Sequence, residues 1–299
     1  MMTRHGWRDW HIPFVGPVRV FWRDYRRDGF GVLGLLLFLG LAAIAALAPW
    51  IVPYDPMAQL PHALLVVPYW MDGGTGAHFF GTDDLGRDLL SRLMIGTRLS
   101  LGLGFVIVVS ALVVGVILGA FAASVRGVIE GVMVRIMDIL LTLPTLLLAV
   151  IVVAILGPGL DNAALAIAIV QIPAFMRVTR AAIHEELTKD YVTAARLDGA
   201  GRLRLLTRTV LPNITPPLII QTTHALSTTI LEIAALGFLG LGAQSPTPEW
   251  GSILASSRAY IQDAPWTVTL PGLAILLTVL AINLIGNGLR NAVDPRWKR

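Results

Sequence analysis

Six runs of about twenty or more mostly apolar residues dominate this chain, at approximately 30–52, 98–123, 131–156, 162–182, 213–241 and 268–289. A bilayer core about 30 Å thick takes roughly 20 helical residues at about 1.5 Å each. Only helices or closed barrels satisfy every backbone polar group in hydrocarbon. The runs therefore predict an all-α polytopic membrane protein with six transmembrane helices. Composition excludes the alternatives: with 55% hydrophobic and 14% charged residues, the chain is neither an ordinary soluble enzyme nor a disordered protein. Ala46-Leu47-Ala48 resembles a small-residue cleavage site after the first run. The long polar segment before that run, its length, and Pro49 immediately after it read instead as a retained anchor.

Arg and Lys in connecting segments resist translocation and so set orientation. Residues 1–29 carry six, 126–135 two, 177–208 seven and the tail four (Arg290, Arg296, Lys298 and Arg299), together 19 of 23. The other side holds only Arg87, Arg92, Arg98 and Arg258. Both termini are therefore expected on the cytoplasmic side, which an even number of spans requires. The net charge of +4 is sorted by membrane side and not gathered on one face, so no nucleic-acid partner is expected. The absence of cysteine excludes disulfides, thiolate chemistry and Cys-ligated metals.

The segment 1–29 is expected to be cytoplasmic. Trp7, Trp10, Phe14, Phe21, Trp22 and Tyr25 stand among arginines there, and a helix over about 18–28 would lie at the lipid interface. The outer loop 53–97 is rich in Pro, Gly and aromatics and reads as an irregular folded excursion. A second outer segment, 242–267, has three prolines and an amphiphilic stretch near 250–262. The long inner loop reads Asp190-Tyr191-Val192-Thr193-Ala194-Ala195-Arg196-Leu197-Asp198-Gly199-Ala200-Gly201, then a run ending Val210-Leu211-Pro212. Helix formers up to Asp198 stopped by two glycines predict a short helix turning sharply into another that re-enters the membrane at Pro212. The small Ala194-Ala195 pair would let a partner approach closely. A solvated basic loop that only anchors topology is the alternative reading.

Ala194-Ala195, Gly199 and Leu211-Pro212 match the spacing of the EAA loop of permease subunits of ATP-binding-cassette (ABC) importers. From about Phe21 to Trp297 the chain resembles the C-type permeases of dipeptide and oligopeptide importers, including the dipeptide and Sap-type permeases. Three further runs carry the likeness: Phe80-Gly81-Thr82-Asp83-Asp84-Leu85-Gly86-Arg87-Asp88, Leu236-Gly237-Phe238-Leu239-Gly240-Leu241-Gly242, and Pro246-Thr247-Pro248-Glu249-Trp250-Gly251. The resemblance implies a type I ABC importer permease (MetI-like) fold, with a permease core over 98–289, a coupling loop at 190–212 and a tail at 290–299. It assigns Thr193, Ala194, Ala195, Asp198, Gly199, Gly201, Leu211 and Pro212 to ATPase coupling. The implied setting is a bacterial inner membrane, and the implied partners are a homologous second permease, two ABC ATPases, an extracytoplasmic peptide-binding protein and lipid. Thr193 stands where the family has Glu, Thr209 where it has Ile, and Gly286-Asn287-Gly288-Leu289-Arg290-Asn291 carries Asn where peptide permeases often have Asp. The same architecture serving antimicrobial peptides, polyamines, haem or a metal chelate, and more remotely an ATP-independent channel, are the rival readings.

Independently of the resemblance, a phosphate-binding loop needs Gly-Lys-Ser/Thr, yet Lys189 follows Thr188 and Lys298 follows Trp297. No cofactor is therefore expected on this chain, and ATP and Mg would reside on partner subunits. No catalytic residue is expected, because no nucleophile elbow is present. The six histidines show no metal-binding spacing, so no metal is expected either. Asp138 and Glu232 lie in apolar runs, where an ionisable group is costly and marks a pathway or an interhelical contact. Asp138 is expected to pair with Arg135 on its own helix face, while Glu232 has no nearby opposite charge in sequence.

Overall fold

A computed structural model describes residues 21–125 and 127–293. The start of the expected interfacial helix, before Phe21, and the tail beyond Val293 lie outside these residues. The described part is helical, with one isolated bridge between Thr82 and Asp88. Helix α1 is Gly29–Ile51, α2 Leu89–Val125, α3 Val128–Thr142, α4 Thr145–Leu156, α5 Leu160–Glu186, α6 Asp190–Leu197, α7 Arg202–Arg204, α8 Thr215–Phe238, α9 Trp250–Ser257 and α10 Trp266–Val293. A π-helical turn at Leu205–Val210 and a 3-10 turn at Leu211–Ile214 join α7 to α8.

Among the described residues, α1, α2, α5 and α10 are long and apolar enough to cross a membrane, and α3 with α4 adds a fifth if the bent pair is one span. The remaining expected segment, 213–241, is α8. It is long enough at 24 residues, but Gln221, Thr222, Thr223, His224, Ser227, Thr228, Thr229 and Glu232 make it less apolar than the others. A polar spanning helix is stable only where those groups face protein or water.

The expected continuous helix over 131–156 is corrected. It breaks between α3 and α4 with a bend of 97°. Pro144 is the cause: its ring pushes the preceding residue out of the helical region, and Leu143 is extended at φ −85°, ψ 143°. The second span also starts at Leu89 and not near 98. Its 37 residues make a rod of roughly 55 Å, longer than the bilayer core, and its first turns, projecting if the excess is at that end, carry Arg92 and Arg98.

Packing separates two ends of the helices. One apolar cluster joins Leu89, Leu93, Trp250, Ile253, Trp266 and Ile275 at the end expected outside. Another joins Ala120, Ala123, Ile183, Val192, Leu205 and Ile214 at the end expected inside. Helices α1 and α10 meet over glycines: a Cβ on Gly34 would come within 2.5 Å of Leu284 Cβ, and Gly31 abuts Gly288. Small residues let helix backbones approach where lipid supplies no hydrophobic drive for association.

Candidate functional site

The inner loop is built by helix capping. Helix α6 ends at Leu197, and Gly199 takes φ +82°, the left-handed conformation that costs a side-chain-bearing residue about 1 kcal/mol or more. The Gly199 amide donates to Arg196 O at 3.0 Å and the Ala200 amide to Ala195 O at 3.1 Å, the paired bonds of a Schellman motif, with Ala195 and Ala200 both packed on the inner cluster. No atom lies within 4 Å of a Cβ on Gly199, so backbone conformation and not space demands glycine. Gly201 differs from expectation: its φ of −64° is ordinary and its Cβ position is also open, so the turn does not demand glycine there.

Val192 is wholly buried and Ala195 half-buried in the inner cluster, whereas Thr193, Ala194, Asp198 and Gly199 are exposed. The alanine pair is thus divided. Ala195 lets the loop sit on its own helix ends, and Ala194 alone faces outward. Leu211 is half-buried in the same cluster and Pro212 is exposed. Between the loop and the ends of α2 and α5 lies a cavity of about 520 Å³, lined by Ala123, Ile183, Leu187, Arg196, Arg202 and Leu206.

Sequence reading missed the group that ties this loop to the membrane helices. Glu186, 5% exposed at the end of α5, receives Lys189 Nζ at 2.5 Å and a short hydrogen bond from the Tyr191 hydroxyl. That hydroxyl in turn accepts from Asn213 Nδ2 at 3.1 Å. Burial, helped by the Glu186 carboxylate, pushes the Tyr191 phenol up to about 12. One carboxylate thus holds the entry to α6 and, through Tyr191, the exit toward α8. Glu186 escaped notice because it stands beside Glu185 in a polar stretch whose helical register hides which of the two turns inward.

Within the spans, the expected Asp138–Arg135 pair is replaced. Asp138 Oδ1 accepts from Arg177 of α5 at 2.5 Å. About two α3 turns away, Glu130 accepts from Arg180 Nε at 2.7 Å and contacts His184 Nε2 at 2.8 Å. Two charged contacts therefore hold α3 on α5. They matter because α3 has no buried residue of its own. Glu232 of α8 is 6% exposed and meets Gln171 Nε2 of α5 at 3.5 Å, with a further hydrogen bond to Thr145. Gln171 also donates to Thr228 and Thr229. Glu232 is thus an interhelical polar contact that reaches the first residue after the α3–α4 break.

The outer motifs form one buried polar framework. Asp83 accepts from Arg87 N at 2.9 Å and Arg87 Nε at 2.7 Å, and lies 3.5 Å from Arg92 Nε. Asp88 accepts from Ser91 N and Oγ at the start of α2 and contacts His78 Nδ1 at 2.9 Å. Asp83, Arg87 and Arg92 are all under 3% exposed. Burial, with the Asp83 carboxylate next to it, raises the Asp84 carboxyl above its usual range. Glu249 caps α9 by accepting from Gly251 N and Ser252 N at 2.8 and 2.9 Å, and burial pushes its carboxyl up against those bonds. Trp250 is fully buried and donates to Leu93 O at 3.3 Å. A Cβ on Gly96 would meet Pro248 O and Trp250 at 2.7 to 2.9 Å. Loop 53–88 and helix α9 are thereby fixed to the same projecting end of α2.

The family described as binding-protein-dependent transport system inner membrane component matches residues 115–299. This chain belongs to that family. Residues 16–68 match the N-terminal transmembrane domain of oligopeptide transport permease C. The chain is 54% identical over 288 residues to the di/tripeptide transport system permease protein DppC of Pseudomonas aeruginosa strain UCBPP-PA14, covering 96% of this chain and 95% of that one. It is 48% identical over 283 residues to the dipeptide transport system permease protein DppC of Haemophilus influenzae Rd, covering 95% and 96%. Its fold is similar to a chain of the methionine ABC transporter MetNI in an inward-facing conformation, with TM-score 0.55, 22% identity, and coverage of 69% of this chain and 98% of the other. The chain is therefore a multi-pass inner-membrane permease subunit of MetI-like fold. Among the described residues no group of three or more His, Cys, Asp or Glu could hold a metal ion.

Proposed function

We propose that this chain is one transmembrane subunit of an ATP-driven importer of dipeptides and short peptides, with both termini cytoplasmic. It works beside a homologous permease, two ATPase subunits carrying ATP and Mg, and an extracytoplasmic peptide-binding protein. The cargo reading rests on the near full-length likeness to di- and tripeptide permeases. The coupling reading rests on one observation: an exposed helix, α6, is fixed at its start to the end of α5 through Glu186 and closed at its end by a glycine cap.

That geometry makes α6 a handle. Thr193, Ala194, Asp198 and Gly199 face outward for a partner, while Val192 and Ala195 grip the inner cluster. When ATP binding draws the ATPase pair together, a push on α6 passes through Glu186 into α5 and through Leu211 and Pro212 into α8. The charged contacts of α5 with α3 carry it on to the break before Thr145. The outer framework of 53–97 and 242–267 gives the loaded binding protein a fixed seat.

The test is purification of the tagged chain from native membranes in mild detergent, with mass spectrometry of its partners and ATPase assays with and without peptide-loaded binding protein. Recovery of a second permease and ATPase subunits, with peptide-stimulated hydrolysis competed by unlabelled dipeptides, is the expected result. A chain recovered alone without ATPase activity overturns the importer reading. Stimulation by a polyamine, haem or a metal chelate, and not by peptides, overturns the cargo.

A further inference from the structure

A cavity of about 340 Å³ opens between α3 and α5, lined by Val134, Met137, Asp138, Met176, Arg177 and Arg180. It is at the lower end of the roughly 300–1,000 Å³ typical of small-ligand sites. Its lining carries both signs of charge. Asp138 supplies a carboxylate and Arg177 a guanidinium, and they close on each other at 2.5 Å. Their side chains nonetheless remain 44% and 58% exposed, quite unlike the Asp83–Arg87 pair at 2% each.

Position along the helices makes that exposure informative. Arg177 lies nine residues from the end of α5 at Glu186, about 13 Å along the axis, and Asp138 ten residues from the start of α3 at Val128, about 15 Å. Charges on the helices of a multi-pass protein do not face hydrocarbon; they face protein, a water-filled path or the membrane surface. An ion pair exposed to water contributes only about 0–1 kcal/mol, so a ligand bearing both charges can replace it at small cost. Around the charges, Met137 and Met176 offer flexible, polarisable walls that adapt to side chains of different shape.

We propose that Asp138 and Arg177 form an exchangeable receptor for the two termini of a zwitterionic short peptide on the inner half of the path. The peptide carboxylate pairs with Arg177, with Arg180 at the same wall, and the peptide ammonium pairs with Asp138. The pair opens to admit the ligand and recloses after it leaves, so the site passes peptides on without holding them, and the methionines tolerate diverse side chains. This site rests on the peptide-import reading above and adds to it where, and by which atoms, the chain meets its cargo.

The chain has no cysteine, so the site can be tested by a single introduced thiol. The assembled, nucleotide-free complex carrying Met137→Cys is labelled with a maleimide, reading the band of this chain, while alanyl-phenylalanine or its N-acetyl, C-amide derivative is present. With free dipeptide at about 10 mM and a Kd of about 1 mM, labelling is expected to slow about tenfold, and the doubly blocked peptide is expected to leave the rate unchanged. Adding Asp138→Asn or Arg177→Gln abolishes the protection. If Met137→Cys does not assemble, Val134→Cys reports on the same cavity. Equal protection by both peptides, or by neither, overturns the site and leaves Asp138–Arg177 as a helix contact only. Uptake of labelled dipeptide by the unmodified complex is measured in parallel. Absent uptake overturns the import reading itself, whereas uptake without protection overturns the site alone.

Discussion

The outer and inner ends of this permease use charge in opposite ways. Outside, Asp83, Arg87 and Arg92 are sealed from water together with Glu249 and Trp250, and each motif is fixed to the projecting end of α2. Inside, Asp138–Arg177 is exposed on both partners, at 44% and 58%, Lys189 is 48% exposed above a buried Glu186, and α6 presents most of its surface. A sealed pair loses much when broken, because the surviving charge stays buried without compensation. An open pair loses little and can trade partners with a ligand or a neighbouring subunit. On this contrast, the proposed coupling and exchange belong at the inner end, and the outer end acts as a frame.

The largest effect is expected from breaking the frame. Asp83→Asn leaves Arg87 and Arg92 facing each other with the shared carboxylate gone, at a cost of about 3–5 kcal/mol. Thermal unfolding of the detergent-purified complex and its abundance in membranes should both fall sharply. Arg177→Gln, judged by the same assays, should stay within about 1 kcal/mol of the unmodified chain. Equal losses would erase the contrast between the two ends.

Next comes the loop. Gly199→Val forces a β-branched residue into φ +82° and is expected to cost about 1–3 kcal/mol locally. The spans should remain inserted while ATP hydrolysis separates from uptake. Gly201→Val, at an unstrained φ, should transport normally. Normal uptake by Gly199→Val at normal abundance would remove α6 from the coupling path.

The same contrast explains what could be read from the residues. The apolar runs marked the spans because hydrocarbon demands them, and Gly199 marked the turn because its conformation is local. The α3–α4 break was hidden by tolerance: Pro49, Pro173 and Pro271 stand inside intact helices, so Pro144 does not announce that it breaks one. Asp138 pairs with a residue 39 positions away, and Arg135, three positions away, is the only partner that sequence distance suggests. The Asn291 departure from the family also gains meaning in three dimensions, because its Nδ2 donates to Asp28 Oδ2 at 2.8 Å, joining the end of α10 to the cap of α1.

A smaller effect belongs to the joint between loop and span. Tyr191→Phe removes the phenol that bonds Glu186, a loss of about 1 kcal/mol. The folded phenol titrates at about 12 against an ordinary value of 10.0. Its contribution is therefore complete below pH 10 and lost as pH rises through about 12. The melting temperature of the unmodified complex should exceed that of Tyr191→Phe at pH 9, with the gap shrinking as pH climbs above 10. No gap between the two at pH 9 would show that the ring's packing and not its hydroxyl ties α6 to α5.

The smallest expected effect tests whether the inner end also has a fixed seam. Hydrogen bonds from the Gly31 amide, first, and from Asn291 hold the Asp28 carboxyl below its usual range. Its stabilising share is therefore present at neutral pH and lost as acid protonates it through that lowered value. Asn291→Asp replaces the donor with a second carboxylate, turning attraction into repulsion at neutral pH. Protonation relieves that repulsion, so the variant should lag the unmodified chain at pH 7 and approach it near pH 4. Both positions are near the surface, which keeps the difference small and salt-sensitive. Protease accessibility of the α1 start, followed against pH and salt, reads it directly. A variant equally protected at pH 7 would show that the glycine contact of Gly31 with Gly288 holds α1 to α10 unaided, and that the open inner end extends to this seam as well.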